Sequence, residues 1–399
     1  MEPASSYQQI LQYSNRADPY PLYAELRKTP VARQEDGSYV VSTYEEIVAL
    51  LHDPRVSSTA GQLPSFISTD PPEHDRLRRL AMRHFGPPHS PRKVDSLRGE
   101  LLQIVTELID GLGDREQADI VDDFAYPFPV TVICRLLGVP LEDEPRFHHW
   151  ADELIEVLGP GEEDLAERME RRKAVLRTLG EYLAGLIDAH RENPGDNLLS
   201  GLITDEGPDG TMSRHEVIAT GTLLLIAGHE TTVNLITNGM LTMLRNPWLL
   251  ERLRKEPDLA IHTIEELLRY EPPVHFLPNR VALDDIPIAG VTIPKGAHII
   301  LALASGSRDP AHLRDPDHFD PDRPYIQHLG FGGGVHHCFG APLARLEAQI
   351  ALRELARRLV NPSLVTDPPP YRPSSTLRGP RHLEIQYDGV NPYSELPAT

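Results

Sequence analysis

Cysteine is almost absent from this chain: 399 residues contain two, Cys134 and Cys338. Two cysteines so far apart make no disulfide framework and suit a reducing compartment. A long apolar run is also missing. The best candidate, Val217 to His229, spans 13 residues between Glu216 and Glu230, well short of the roughly 20 needed to cross a bilayer. The opening MEPASSYQQI has neither an apolar signal core nor a basic leader, so a cytoplasmic protein without a membrane segment is expected. Positive charge is scarce, with 39 Lys and Arg against 59 Asp and Glu and a net charge of −20. That balance argues against non-specific binding to nucleic acid or to an anionic membrane.

What is present is ordinary for a globular protein: 40% hydrophobic and 25% charged residues. The length allows a large core, and length alone would suggest two or three domains. The pattern is instead mostly helical throughout. A strand is expected at Gly37–Ser42 with a helix after it, and a further helix after Pro71-Pro72. More helices are expected near 95–112, 129–137, 143–157, 162–190, 213–245 and 342–359. Between Arg280 and Leu303, β-branched runs separated by Gly and Pro read as hairpins. Ser305 to Gly330 reads as an unusually long loop, and such loops are often functional. A strand near Leu383–Tyr387 closes the pattern. With no repeat or linker, the expectation is one domain over 1–399, mainly α with a small β region from about 1–60, 280–303 and 375–390; 71–275 and 342–359 are expected to be helical.

Cys134 lies in the apolar helical run VTVICRLLGV and reads as a core residue. Cys338 stands in FGGGVHHCFGAPLAR, among glycines, histidines and a proline. A helix is expected to start just after it, with Pro342 in the first turn and Leu343, Leu346 and Ile350 as its apolar stripe. A sulfur at a helix N-terminus faces exposed N–H groups and the positive dipole end, which favour a thiolate. Gly332, Gly334 and Gly340 permit close approach of a flat, bulky partner. Zinc would want ligands on separated segments, and His336-His337-Cys338 is contiguous. CxxCH, the covalent haem motif, is absent, and GFGGGV lacks the third glycine of a dinucleotide fingerprint. A buried structural cysteine remains the plain alternative.

FGGGVHHCFG fits FGxGxHxCxG at all six fixed positions, and so resembles the haem-binding signature of the cytochromes P-450, the haem-thiolate monooxygenases. The resemblance implies that family's fold, a triangular-prism-like domain with haem b between a long central helix and the helix after the cysteine. It also implies Cys338 as the axial ligand of haem iron, Phe331 as a shield for the sulfur and His336 as a propionate partner. Thiolate donation to haem iron favours O–O cleavage.

Ser213-Arg214-His215-Glu216 reads as a capping box opening a helix that can run to Asn246-Pro247. Midway stands Ala227-Gly228-His229-Glu230-Thr231-Thr232, where glycine and hydroxyls are expected to loosen the helical ladder and open a groove. HE suggests a zinc protease, but position 233 is valine where a second histidine is required. Polar residues on a solvated face are the bland reading. The stretch resembles the family's A-G-x-[DE]-T oxygen-activation motif, which implies Glu230 as the acid and Thr231 as the alcohol of a proton relay, with Ala227 and Gly228 beside the haem.

Glu266 and Arg269 form an i, i+3 pair that alone could be an ordinary surface pair. Ahead of Cys338 they resemble the family's ExxR motif, with Arg323 of FDPDR completing a structural charge cluster. His74 and Arg78 in DPPEHDRLRR, together with Arg280 and His336, match the family's propionate partners, and buried carboxylates need such partners. The chain resembles the soluble bacterial type, which takes electrons from a ferredoxin and its reductase. Arg76, Arg78, Arg79, Arg83, Arg92 and Lys93, with Arg345, Arg353, Arg357 and Arg358, are expected to form a basic docking patch. The loop TAGQLPSFIST is about half the family's usual length, so the pocket at 57–70 is expected to be more open. Candidate pocket residues are Phe66, Ile67, Leu224, Ala227, Val274, Phe276 and Leu277, whose apolar character suits a hydrophobic small organic molecule, natural products among the candidates.

The expected activity is hydroxylation or epoxidation of that molecule with O2. Rival readings are a haem-thiolate enzyme using peroxide or performing another oxidative step such as coupling, a non-catalytic haem sensor, and, furthest off, a helical scaffold without haem.

Overall fold

The computed structural model describes residues 5–59, 65–85, 93–113, 115–147, 149–150, 153, 165–204 and 210–394. Its organising element is one helix, Arg214–Arg245, 32 residues long. Both halves of the capping box form: the Glu216 N–H donates to Ser213 Oγ at 3.3 Å, and the Ser213 N–H donates to the Glu216 carboxylate at 2.6 Å. Beyond Glu230 the helix is buried on almost every side. It packs against helices Pro127–Leu137, Leu165–Glu192, Leu259–Tyr270 and Ala341–Arg358. A helix enclosed in this way needs apolar residues all round, and its second half, with Val233, Leu235, Ile236, Met240 and Leu241, supplies them.

The β region joins the start of the chain to residues 277–301. Strands Val31–Arg33, Tyr39–Val41, His298–Leu301, Leu277–Ala282 and Val56–Ser57 lie side by side in that order. All pairs are antiparallel except Tyr39–Val41 with His298–Leu301, where Val40 faces Ile300. Ile286–Ile288 and Val291–Ile293 make the expected hairpin, with Ala289 and Gly290 both at positive φ in the turn. A second sheet sets Glu384–Gln386 between Ser363–Leu364 and Gln117–Asp119. The strand at 117–119 departs from the expectation of an unbroken helical block, because three residues are too few to carry a period. Most of the helix expected over 143–157 lies outside the described residues.

Both ends of the described chain meet at Glu271, the residue that caps the C-terminus of helix Leu259–Tyr270. Glu271 accepts a hydrogen bond from Tyr20 Oη at 3.1 Å and pairs with Arg308 and Arg378. The Arg308 guanidinium lies between the Tyr20 and Tyr270 rings, 3.3 and 3.6 Å from their centroids, a cation–π sandwich. Arg378 also donates to the carbonyls of Arg16 and Ala17, both at 2.8 Å. Among the described residues no helix is long and apolar enough to cross a membrane.

Candidate functional site

The cysteine loop is drawn tight by its own backbone. The Cys338 N–H donates to the Phe331 carbonyl at 2.9 Å, and the Gly332 N–H to the Leu329 carbonyl at 2.8 Å. Gly332 and Gly334 both take positive φ. Gly334 also presses on helix Tyr44–His52, where a Cβ would run into the Leu51 carbonyl oxygen. Helix Ala341–Arg358 then begins with Pro342 in its first turn.

The expected lowering of the thiol pKa is not found. Burial pushes the Cys338 thiol up and outweighs the N–H groups of Gly340 and Ala341 and the nearby Arg78 and Arg345. The helix end therefore does not make a thiolate unaided, whereas a coordinating metal removes the proton outright. Phe331 packs under the Arg345 guanidinium, 4.5 Å from ring centroid to carbon. Cys134, by contrast, is fully buried in the main core, as expected.

Beside the loop, four groups that can carry positive charge converge. The His74 and His336 rings are 4.4 Å apart, and the His336 Nε2 lies 2.8 Å from Ser58 Oγ. Arg78, one turn after His74, donates to the His337 carbonyl at 2.7 Å. Buried Arg280 comes in on strand Leu277–Ala282. Burial, with His74 and Arg280, pushes His336 down to about 4, so it is neutral near pH 7. Asp70, bonded by Ser57 and Ser58, is the carboxylate that acts on both His336 and Arg280. The His74 Nε2 is buried with no hydrogen-bond partner. Asp75 lies 2.8 Å from the His74 Nδ1 and also acts on Arg78. The four groups, His74 and Arg280 buried and Arg78 and His336 half-buried, thus meet two carboxylates, and that excess fits a cofactor that brings carboxylates of its own.

On the central helix, Ala227 is exposed although its neighbours Leu225, His229 and Glu230 are buried, so the helix wall borders open space there. The Thr231 Oγ donates back to the Ala227 carbonyl at 2.7 Å, and the helix continues unbroken through this point. The expected loosening is thus limited to a shared carbonyl. Burial pushes Glu230 up to about 7, against the opposing charge of Arg372. Gly228 has a packing role of its own: a Cβ there would meet Ile133 Cδ1 at 2.5 Å, so it admits helix Pro127–Leu137.

Glu266, Arg269 and Arg323 do come together, the first two fully buried and Arg323 partly so. Arg269 bonds both Glu266 oxygens at 2.7 Å, and the Arg323 Nε reaches Glu266 at 3.1 Å. The two arginines also bond carbonyls of residues 307–318, including Pro316 and His318, and so pin the long loop.

Other candidates divide. Leu224, Val274 and Leu277 are half-buried near the central helix or the sheet edge, and Ile67 is exposed. Phe66 is buried, with its ring 5.5 Å from Phe339 and 6.4 Å from His74. Phe276 does not line a pocket: it packs on Tyr7 and Tyr23 in the N-terminal cluster. Apolar character alone does not distinguish the two surroundings. Residues 60–64 of the short loop lie outside the described residues.

The basic patch is smaller than expected. Arg76 bridges Glu73 and Glu216, Arg353 and Arg357 both pair with Glu354, and buried Arg358 pairs with Asp110. Arg92 lies outside the described residues. Lys93 pairs with Asp196 and Arg345 with Glu265. Arg78, Arg79 and Arg345 rim a depression of about 430 Å³ that reaches Cys338 and also includes Asp75, Met82, His337 and Pro342, and Arg83 is not part of its lining.

Two residues escaped the sequence reading. Glu347 is buried on helix Ala341–Arg358, and burial pushes it up to about 8 against a hydrogen bond from Thr232. Its place on the stripe of Leu343, Leu346 and Ile350 was a signal. Arg372, in a proline-rich turn, gave none.

The family model described as Cytochrome P450 matches residues 45–386. Cytochrome P450 monooxygenase PikC of Streptomyces venezuelae is 37% identical over 395 residues, covering 93% of this chain and 91% of that protein. 6-Deoxyerythronolide B hydroxylase of Saccharopolyspora erythraea is 36% identical, covering 94% and 98%. The ligand-free crystal structure of CYP164A2 from Mycobacterium smegmatis superposes with a TM-score of 0.87 at 41% identity, covering 96% of this chain and 99% of that one.

Proposed function

The chain belongs to the cytochrome P450 family and is a haem-thiolate monooxygenase with haem b as cofactor, and on that premise we propose which of its residues do the work. Cys338 holds the iron, and His74, Arg78, Arg280 and His336 hold the two propionates. The observation that carries this is the excess of donors over carboxylates beside the loop, with the buried His74 Nε2 unpartnered. Haem iron, when bound, supplies the electron transfer and dioxygen chemistry.

The chain's own residues shape the rest. Ala227, without a larger side chain, keeps the middle of the central helix open, and Phe331 covers the loop beside the sulfur. Thr231 presents its hydroxyl one residue from Glu230, and Glu230, poised near neutrality, can give and retake a proton at ordinary pH. Glu266, Arg269 and Arg323 hold the loop and take no part in proton transfer.

The substrate is a hydrophobic organic molecule against Leu224, Ala227, Val274 and Leu277, and its carbon is hydroxylated or epoxidised. The name 6-deoxyerythronolide B hydroxylase supports a natural product of that kind. Electrons come from a ferredoxin at the depression rimmed by Arg78, Arg79 and Arg345. The whole chain works as one domain.

The ferrous carbonyl spectrum tests the core of this reading. Wild-type protein is expected to show the long-wavelength Soret band of thiolate ligation, and Cys338→Ser to lose both that band and turnover. An unchanged band in the variant would refute the assignment.

A further inference from the structure

A line of buried polar side chains lies between the central helix and the C-terminal hairpin. Glu230 and Asn234 are one turn apart on the helix and so share a face. Opposite them, Tyr371 pairs with Pro380, and the Arg372 N–H donates to the Gly379 carbonyl at 3.1 Å. The hairpin approaches so closely that a Cβ on Gly379 would collide with the Asn234 side-chain oxygen. Asn234 is 0% exposed, and neither its oxygen nor its nitrogen has a hydrogen-bond partner; the Nε of Arg372, 7% exposed, has none either. Polar atoms in that position are where folded proteins keep internal water.

The line has an inner and an outer end. At the inner end, Arg372 is the charged group that acts on Glu230. At the outer end, Arg372 feels Arg381, Tyr126 and Asp122. Asp122 and Arg381 pair at 3.0 Å, each about half exposed, and the His382 Nδ1 lies 3.5 Å from Asp122 and 2.6 Å from Asp119. Carboxylate and imidazole groups thus stand at the surface where the line begins. Of the neighbouring polar groups, Thr231 bonds Ala227 and Thr232 bonds Glu347, while the His229 ring packs edge-on against Tyr126 at 4.4 Å.

We propose that this seam holds internal water and is the route by which Glu230 exchanges protons with solvent, with Arg372 as the positioning residue for its carboxyl. The inference rests on Glu230 being the relay acid. It explains why an acid buried in the middle of a long helix has an arginine from the far end of the chain beside it.

Infrared difference spectroscopy on the holoenzyme tests it. The Glu230 carboxyl band is assigned by its disappearance in Glu230→Gln, and two quantities are read: its titration midpoint and its rate of deuteration after transfer to D2O. Arg372→Leu should raise the midpoint by about one pH unit or more, because an opposite charge is lost. Arg372→Lys should hold it near the wild-type value. Asn234→Leu should leave the midpoint in place and slow deuteration roughly tenfold or more, since the relay is interrupted. An unmoved midpoint in Arg372→Leu, or unslowed deuteration in folded Asn234→Leu, overturns the seam even if Glu230→Gln has lost turnover. Full turnover in Glu230→Gln overturns the relay assignment instead. If Asn234→Leu does not fold, the two Arg372 variants decide alone.

Discussion

A carboxyl buried as deeply as that of Glu347 keeps its proton until the solution is alkaline. In the unfolded chain this group titrates near 4.5, and in the folded protein burial pushes it up to about 8. The folded state therefore binds the proton more tightly. Its contribution to stability is complete below 4.5 and is lost as pH rises through 8. Urea unfolding of the wild type should give a stability lower at pH 8.5 than at pH 5 by on the order of a few kcal/mol from this group. Glu347→Gln should remove most of that slope. Some slope should persist, because Glu230, pushed up to about 7, acts in the same direction between 4.5 and 7. Identical slopes in variant and wild type would mean that Glu347 is not a buried neutral acid. At this scale the sequence showed residues embedded in a spaced pattern, such as Cys338 and the Glu230–Thr231 pair. It did not show Arg372, whose place beside Glu230 depends on a hairpin some 140 residues further along the chain meeting the helix.

Helices with strong local signals were legible almost to the residue. The capping box places the start of the central helix at Arg214, and Pro342 places the start of the last helix at Ala341. The packing role of Gly228 was not legible, because local sequence cannot say that Ile133 of another helix will press on it. Phe276 was misread as a pocket residue because its neighbours Tyr7 and Tyr23 come from a segment some 250 residues earlier in the chain. The capping box itself can be weighed. Ser213→Ala removes an acceptor for the Glu216 N–H and should destabilise the protein by about 1 kcal/mol. A lowered urea midpoint with an unchanged m-value would show it. Because the box lies more than a dozen residues from Glu230, the ferrous carbonyl spectrum should be unaltered.

Across the whole molecule, the net charge of −20 conceals a local reversal. Around the depression that reaches Cys338, three arginines face one carboxylate, Asp75. Of the three, Arg345 is tied to Glu265 and Arg78 to the His337 carbonyl next to the cysteine, so changing either would disturb the loop itself. Arg79 is the better probe of docking. Arg79→Glu should slow electron transfer from an acidic ferredoxin at low salt, and the difference from wild type should shrink as salt screens the field. Stopped-flow reduction at several ionic strengths measures both. An unchanged low-salt rate would place the docking face elsewhere.

Glu271, where residues from both ends of the chain meet, bears on when the protein can be finished during its synthesis. It caps the helix that carries Glu266 and Arg269, and one of its arginines, Arg378, lies 107 residues further along the chain. A ribosome will therefore have to travel past Arg378 before that corner can close. Until then the helix bearing Glu266 and Arg269 lacks one of the fastenings at its C-terminal end, and a nascent chain can complete it only after the hairpin that carries Arg378 has emerged.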